Sequence, residues 1–80
     1  MEIEDIADGI TGKNEAIREI RKLIESVEER RHDVIYLYTI PHANIDILDA
    51  SIRELDFVIA NMIERKDRLR IEVTKLESEL

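Results

Sequence analysis

Four groups of residues in this chain have types and spacing that chemistry can use. The first is GITGKN, Gly9 to Asn14. Glycines ahead of a lysine can cradle phosphate with backbone N–H groups. A phosphate-binding loop, however, needs four residues between its glycines and a Ser or Thr after the lysine. Here two residues separate Gly9 from Gly12, and Asn14 follows Lys13. The segment reads instead as a helix start, with Thr11 or Asn14 as cap and Glu15 favourable in the first turn. The second group is Glu29, three residues before His32. That spacing holds di-iron centres when both side chains point into a bundle. Here both fall outside the apolar stripe, and Arg30 and Arg31 between them would repel a cation. No metal site is expected. The third group is Arg31 and Lys66, two cations placed within the apolar stripe itself. Such residues either fix the register of packed helices or offer charge to an anionic ligand. The fourth is Glu54, in RELD. No Ser-His-Asp set stands out and no cysteine is present, so a thiolate zinc site, a disulfide and a cysteine nucleophile are all excluded. No cofactor is expected.

The elements that position these residues are helices. From Ile45 the apolar residues step by three and four: Ile45, Leu48, Ile52, Leu55, Ile59, Met62, then Leu69, Val73, Leu76 and Leu80. Lys66 is the one interruption. Ile17, Ile20, Ile24, Val27, Val34 and Tyr38 repeat the pattern, with Arg31 as the interruption. A sustained heptad is the signature of coiled-coil packing. Ile3, Ile6 and Ile10 keep the phase, but Gly9 and Gly12 are expected to stop the helix and leave residues 1–12 as a short arm.

Pro41 lies between the two striped segments. Proline inside a helix removes a hydrogen bond, costing about 3 kcal/mol, and it pushes the residue before it out of the helical region. A corner follows, with Thr39 capping the second helix and Pro41 in its first turn. The division is an arm over 1–12, helix 1 over 13–38, a turn over 39–43 and helix 2 over 44–80, one domain in all. Closing the hairpin with Tyr38 beside Pro41 layers Val34 on Ile45, Arg31 on Leu48, Val27 on Ile52, Ile24 on Leu55, Ile20 on Ile59 and Ile17 on Met62. Lys13 then meets Lys66, Leu23 falls beside Val58, and Arg21 falls near Asp56. A parallel rod would set Arg65 against Arg70 and Glu72 against Glu77 of its partner, which opposes that pairing.

The stretch Ile52 to Val73 resembles the first helix of the all-helical chorismate mutases in Ile52, Leu55, Asp56, Ile59, Met62, Leu69 and Val73. The functional positions differ: Lys66 stands at the family's catalytic arginine, Asp49 at its earlier substrate-binding arginine and Glu77 at its later lysine. The match covers about a quarter of the chain, and the family's two further helices would lie after Leu80. RELD, Arg53 to Asp56, is similar to the SQELD motif of small helical-hairpin phosphatases in Glu54, Leu55 and Asp56, with Ile52 in place of the serine. These resemblances imply an alternative reading, a small helical enzyme or phosphatase-like regulator using Arg31, Lys66 or Glu54.

The seam leaves apolar residues over. Tyr36, Ile47, Ala50 and Phe57 lie off it, and Val58 and Ile63 flank it. A two-helix hairpin has little core, so these six are expected to bind a partner, with Arg31 and Lys66 setting register. Charged residues make up 39 % of the chain and its net charge is −7, which opposes attraction to nucleic acid or anionic membrane. The basic clusters ERKDRLR and ERRHD are both interrupted by acids. No apolar run approaches the ~20 residues of a membrane span, and the acidic N-terminus is not a secretory signal. The expectation is an all-α, antiparallel two-helix hairpin that pairs into a four-helix bundle. It acts in the cytoplasm by contact with itself, as a homodimer, and with another helical protein, without catalysis.

Overall fold

The computed structural model describes residues 2–80. Two helices hold nearly all of them: α1, Ile3–Leu37, and α2, Ile45–Glu77. They pack against each other as a helical hairpin, and no strand occurs among the described residues. The hairpin is a rod of 62 × 14 × 12 Å with a radius of gyration of 18.2 Å. A compact chain of this length would have a radius near 12 Å, so far more surface stays in water.

The arm expected over residues 1–12 does not form, because α1 runs from Ile3 through both glycines without a break. Each glycine costs a helix interior about 1 kcal/mol relative to alanine. Burial of Ile6, at 4 % exposed the best-covered residue of the core, offsets much of that cost. Gly9 also permits close approach: a Cβ there would stand 3.3 Å from Leu76 Cδ1.

The corner is made by residues 38–44, between Leu37 and Ile45. Tyr38, Thr39 and Ile40 donate their N–H groups to the carbonyls of Ile35, Tyr36 and Leu37 at 3.1, 3.0 and 3.2 Å. These bonds tighten the end of α1. Pro41 has no N–H with which to continue. His42 then takes φ 64°, the left-handed region, and Ala43 N–H closes a turn onto Ile40 O at 3.2 Å. Asn44, not Thr39, caps α2: its side chain accepts from Ile47 N–H at 3.2 Å. The Thr39 hydroxyl donates to Tyr36 O at 2.7 Å.

This longer turn changes the register. Arg31 meets Asp56 rather than Leu48, eight positions further along α2. Lys13 meets Glu72 rather than Lys66, six positions further. Tyr38 lies on Asp49, and Gly9 lies on Leu76. The mean displacement is one heptad. Carried along the seam, it sets Arg31 opposite Leu55, Lys66 opposite Ile20 and Lys13 opposite Val73. The expected layer of two lysines is therefore absent, and Asp56 takes Arg31 instead of Arg21. The cause is the periodicity itself. A seven-residue stripe looks the same after a slip of seven, so turn length and polar partners choose among registers.

The core is thin. Ile6, Ile17, Ile20, Ile24, Leu48 and Val73 are buried, and none of the described side chains is fully enclosed.

Candidate functional site

The seam divides the rod into two broad faces, and they differ in kind. One is a paired face. Arg31 Nε donates to Asp56 Oδ1 at 2.6 Å, and the Tyr38 hydroxyl donates to Asp49 Oδ1 at 2.5 Å. Arg53 Nε reaches the Asp49 carbonyl at 3.4 Å. The Asp49 bond holds the Tyr38 phenol above its usual 10.0, because ionisation would break it. Loss of water and the Asp49 charge add to the shift, and Arg53 opposes it.

The other is an open face. Arg30, Val34, Ser51, Glu54, Leu55 and Val58 line a shallow cleft of about 300 Å³ on it. Leu23 lies seven residues before Arg30, so it projects from the same side of α1, and it is 56 % exposed. Towards the helix ends this face carries the Lys13–Glu72 pair at 3.0 Å. Gly12 is there too, with nothing within 4 Å of where its Cβ would be.

At the corner the open face runs into an apolar tip. Leu37, Ile40, Ala43, Asn44, Ile47 and Leu48 line a recess of about 220 Å³. Ile40 and Ile47 of this lining stand exposed, as does the neighbouring Ile45. The tip exists because the first turn of α2 overhangs the end of α1. Tyr38 sits level with Asp49, so Ile45 lies past the last seam contact.

The six residues expected to bind a partner are all exposed, but they do not form one patch. Ile47 and Val58 belong to the open face, by their places in the two recesses. Ala50 and Phe57, seven apart, project from the back of α2, where Phe57 is 69 % exposed. Tyr36 projects from the back of α1. Ile63 sits seven residues past Asp56, on the paired face. Leu37, Ile40 and Ile45 belong to the exposed tip, although the stripe assigns Ile45 to the seam. The signal for the tip is VIYLYTI, apolar but for Thr39, which continues past the point where a helix can end before Pro41.

Arg31, Lys66 and Glu54 are not brought together. Arg31 is engaged by Asp56, and Glu54 lines the cleft on the other face. Lys66 is half-buried in the seam, eleven residues past the Leu55 that faces Arg31, or roughly 16 Å along the axis. Glu29 and His32 are exposed, and no three metal-ligating side chains gather among the described residues. No helix described is long and apolar enough to cross a membrane.

Comparison with protein-family models, with curated proteins and with solved structures finds no match to this chain. The surface of the hairpin is therefore the ground for any functional reading.

Proposed function

We propose that this chain is a protein–protein interaction module, a helical hairpin that pairs with a second copy of itself into a four-helix bundle. It acts by contact rather than by catalysis. One observation carries the reading. Thirteen large apolar side chains stand exposed among the described residues, against six that are buried. Single exposed apolar residues are ordinary, whereas a surplus of this size on a rod favours a partner. Six core residues at about 1.5–3 kcal/mol each offset little of the chain's conformational entropy, so pairing also supplies stability. Arg31 and Lys66 fix the register of the seam. Tyr36, Ala50 and Phe57, on the backs of the helices, are offered to another helical protein.

The test is thermal unfolding, followed by circular dichroism over a hundredfold range of protein concentration. A folded dimer in equilibrium with unfolded chains melts higher as concentration rises. A midpoint independent of concentration, with cooperative melting, would remove self-association.

A further inference from the structure

The self-association just proposed leaves open which surface pairs, and we infer that a second copy docks on the open face, antiparallel, about a two-fold axis at Asn61. This rests on that proposal and adds to it the face, the direction and the residues in contact.

The first ground is charge. A two-fold interface must be complementary to itself: if one residue meets another, the second also meets the first. Glu19 and Arg30 project from the open side of α1 and straddle the midpoint between Leu23 and Ser26. Glu54 and Arg68 project from the open side of α2 and straddle Asn61. Counting along both helices from Arg31–Asp56 and from Lys13–Glu72 sets the first midpoint opposite residues 60–63. Both pairs are therefore centred at one height, and one axis across the rod satisfies both. It lays Glu19 on the partner copy's arginine at position 30, and Glu54 on its arginine at position 68. A parallel arrangement would also pair these charges, Glu19 with Arg68 and Arg30 with Glu54 between copies, so the charges select the face and the fit of Gly12 with Leu37 selects the antiparallel direction. Within the chain Glu19 holds Lys22 at 3.6 Å and Arg68 holds Glu64 at 3.9 Å. Exposed pairs at these distances hold little energy and exchange readily.

The second ground is shape. Gly12 and Leu37 straddle the same midpoint on α1. Gly12 lowers helix stability, yet open space lies where its Cβ would be. Under this axis that space receives the exposed Leu37 of the second copy. Leu23, 56 % exposed in its own chain, lies beside the axis.

The third ground is area. The chain exposes 6269 Å², where a compact monomer of 9.4 kDa exposes about 5,000 Å². The surplus, about 1,250 Å² per chain, is what a permanent homodimer removes. Backs that carry Phe57 stay outside this interface.

The chain has no cysteine, so single-cysteine variants report the interface directly. Asn61→Cys, Ile63→Cys and Phe57→Cys are treated with a short bifunctional thiol reagent, and association is measured by sedimentation for Glu54→Arg, Arg68→Glu and the double variant. The expected result is a cross-linked dimer from Asn61→Cys and little from the other two. Each charge reversal weakens the dimer about tenfold or more, and the double variant returns to within about threefold of the parent. A dimer that cross-links through Ile63→Cys or Phe57→Cys, or a double variant no better than the worse single one, overturns this face while leaving self-association standing. A chain that is monomeric throughout removes both.

Discussion

The two faces of the hairpin are built from the same heptads and end in different states. On the paired face Arg31 is held inside the chain by Asp56 at 2.6 Å and Asp49 by Tyr38 at 2.5 Å. On the open face Leu23 is more than half exposed, Arg30 and Glu54 line a cleft, and open space lies beside Gly12. A surface that satisfies its own polar groups gains little from a partner. A surface that combines exposed apolar area with loosely held charges gains both burial and pairing. The contrast teaches that a seam of heptads fixes how two helices meet, while the residues beside the seam decide what else they meet.

The largest effect is expected at the seam, which both faces need. Ile24→Ala removes a buried side chain from a thin core and should cost about 2–4 kcal/mol in urea denaturation, abolishing the contrast by loosening both faces. Next comes the open face itself. Leu23→Glu should weaken self-association on the order of a hundredfold, a cost typical of a central interface residue, and lower the melting midpoint at a given concentration. Ile63→Glu, on the paired face, should leave association within about threefold of the parent; a loss as large as that of Leu23→Glu would invert the comparison.

Smaller effects sharpen it. His42 holds a left-handed conformation at φ 64°, which costs an L-residue about 1–2 kcal/mol. His42→Gly should raise stability by about 0.5–1 kcal/mol, and a loss would show that the His42 side chain anchors the tip. Arg31→Ala breaks a short ion pair whose side chains are 37 % and 52 % exposed. Screening by water limits its cost to about 0.5–1 kcal/mol, with association unaffected. The smallest effect is a titration. Tyr38 is held above 10.0 by the bond to Asp49. Its folded value is raised, so the stabilisation is complete below pH 10 and is lost as pH rises through the folded value. In a Tyr36→Phe background the phenol absorbance should titrate above 10, and Asp49→Asn should return it to about 10.

Much of the hairpin is legible in the residues. The alternating steps from Ile17 to Tyr38 and from Ile45 to Leu80 specify two helices with one seam, and Pro41 specifies the corner between them. Two features are not legible there, for separate reasons. Gly9 and Gly12 signal a break that burial of Ile6 overrides, because tertiary packing outweighs about 1 kcal/mol of intrinsic preference at each glycine. The register is hidden because a heptad stripe is unchanged by a one-heptad slip. Only the turn, through Asn44 rather than Thr39 as cap, and the contacts Arg31–Asp56 and Lys13–Glu72 select it. That slip leaves Ile45 past the last seam contact, exposed at the tip. Of the residues expected to bind a partner, Ile47 and Val58 share the open face and its tip with Leu23. Phe57 and Ile63 project elsewhere, since spacing along one helix does not tell which side of the pair a flank occupies.

The claim on which the rest depends is that this hairpin completes its core with a second copy. Multi-angle light scattering on the unmodified chain, at micromolar concentration and physiological salt, tests it most directly. The expected mass is twice the 9.4 kDa of the chain. A folded, monodisperse particle of 9.4 kDa at every concentration would contradict it.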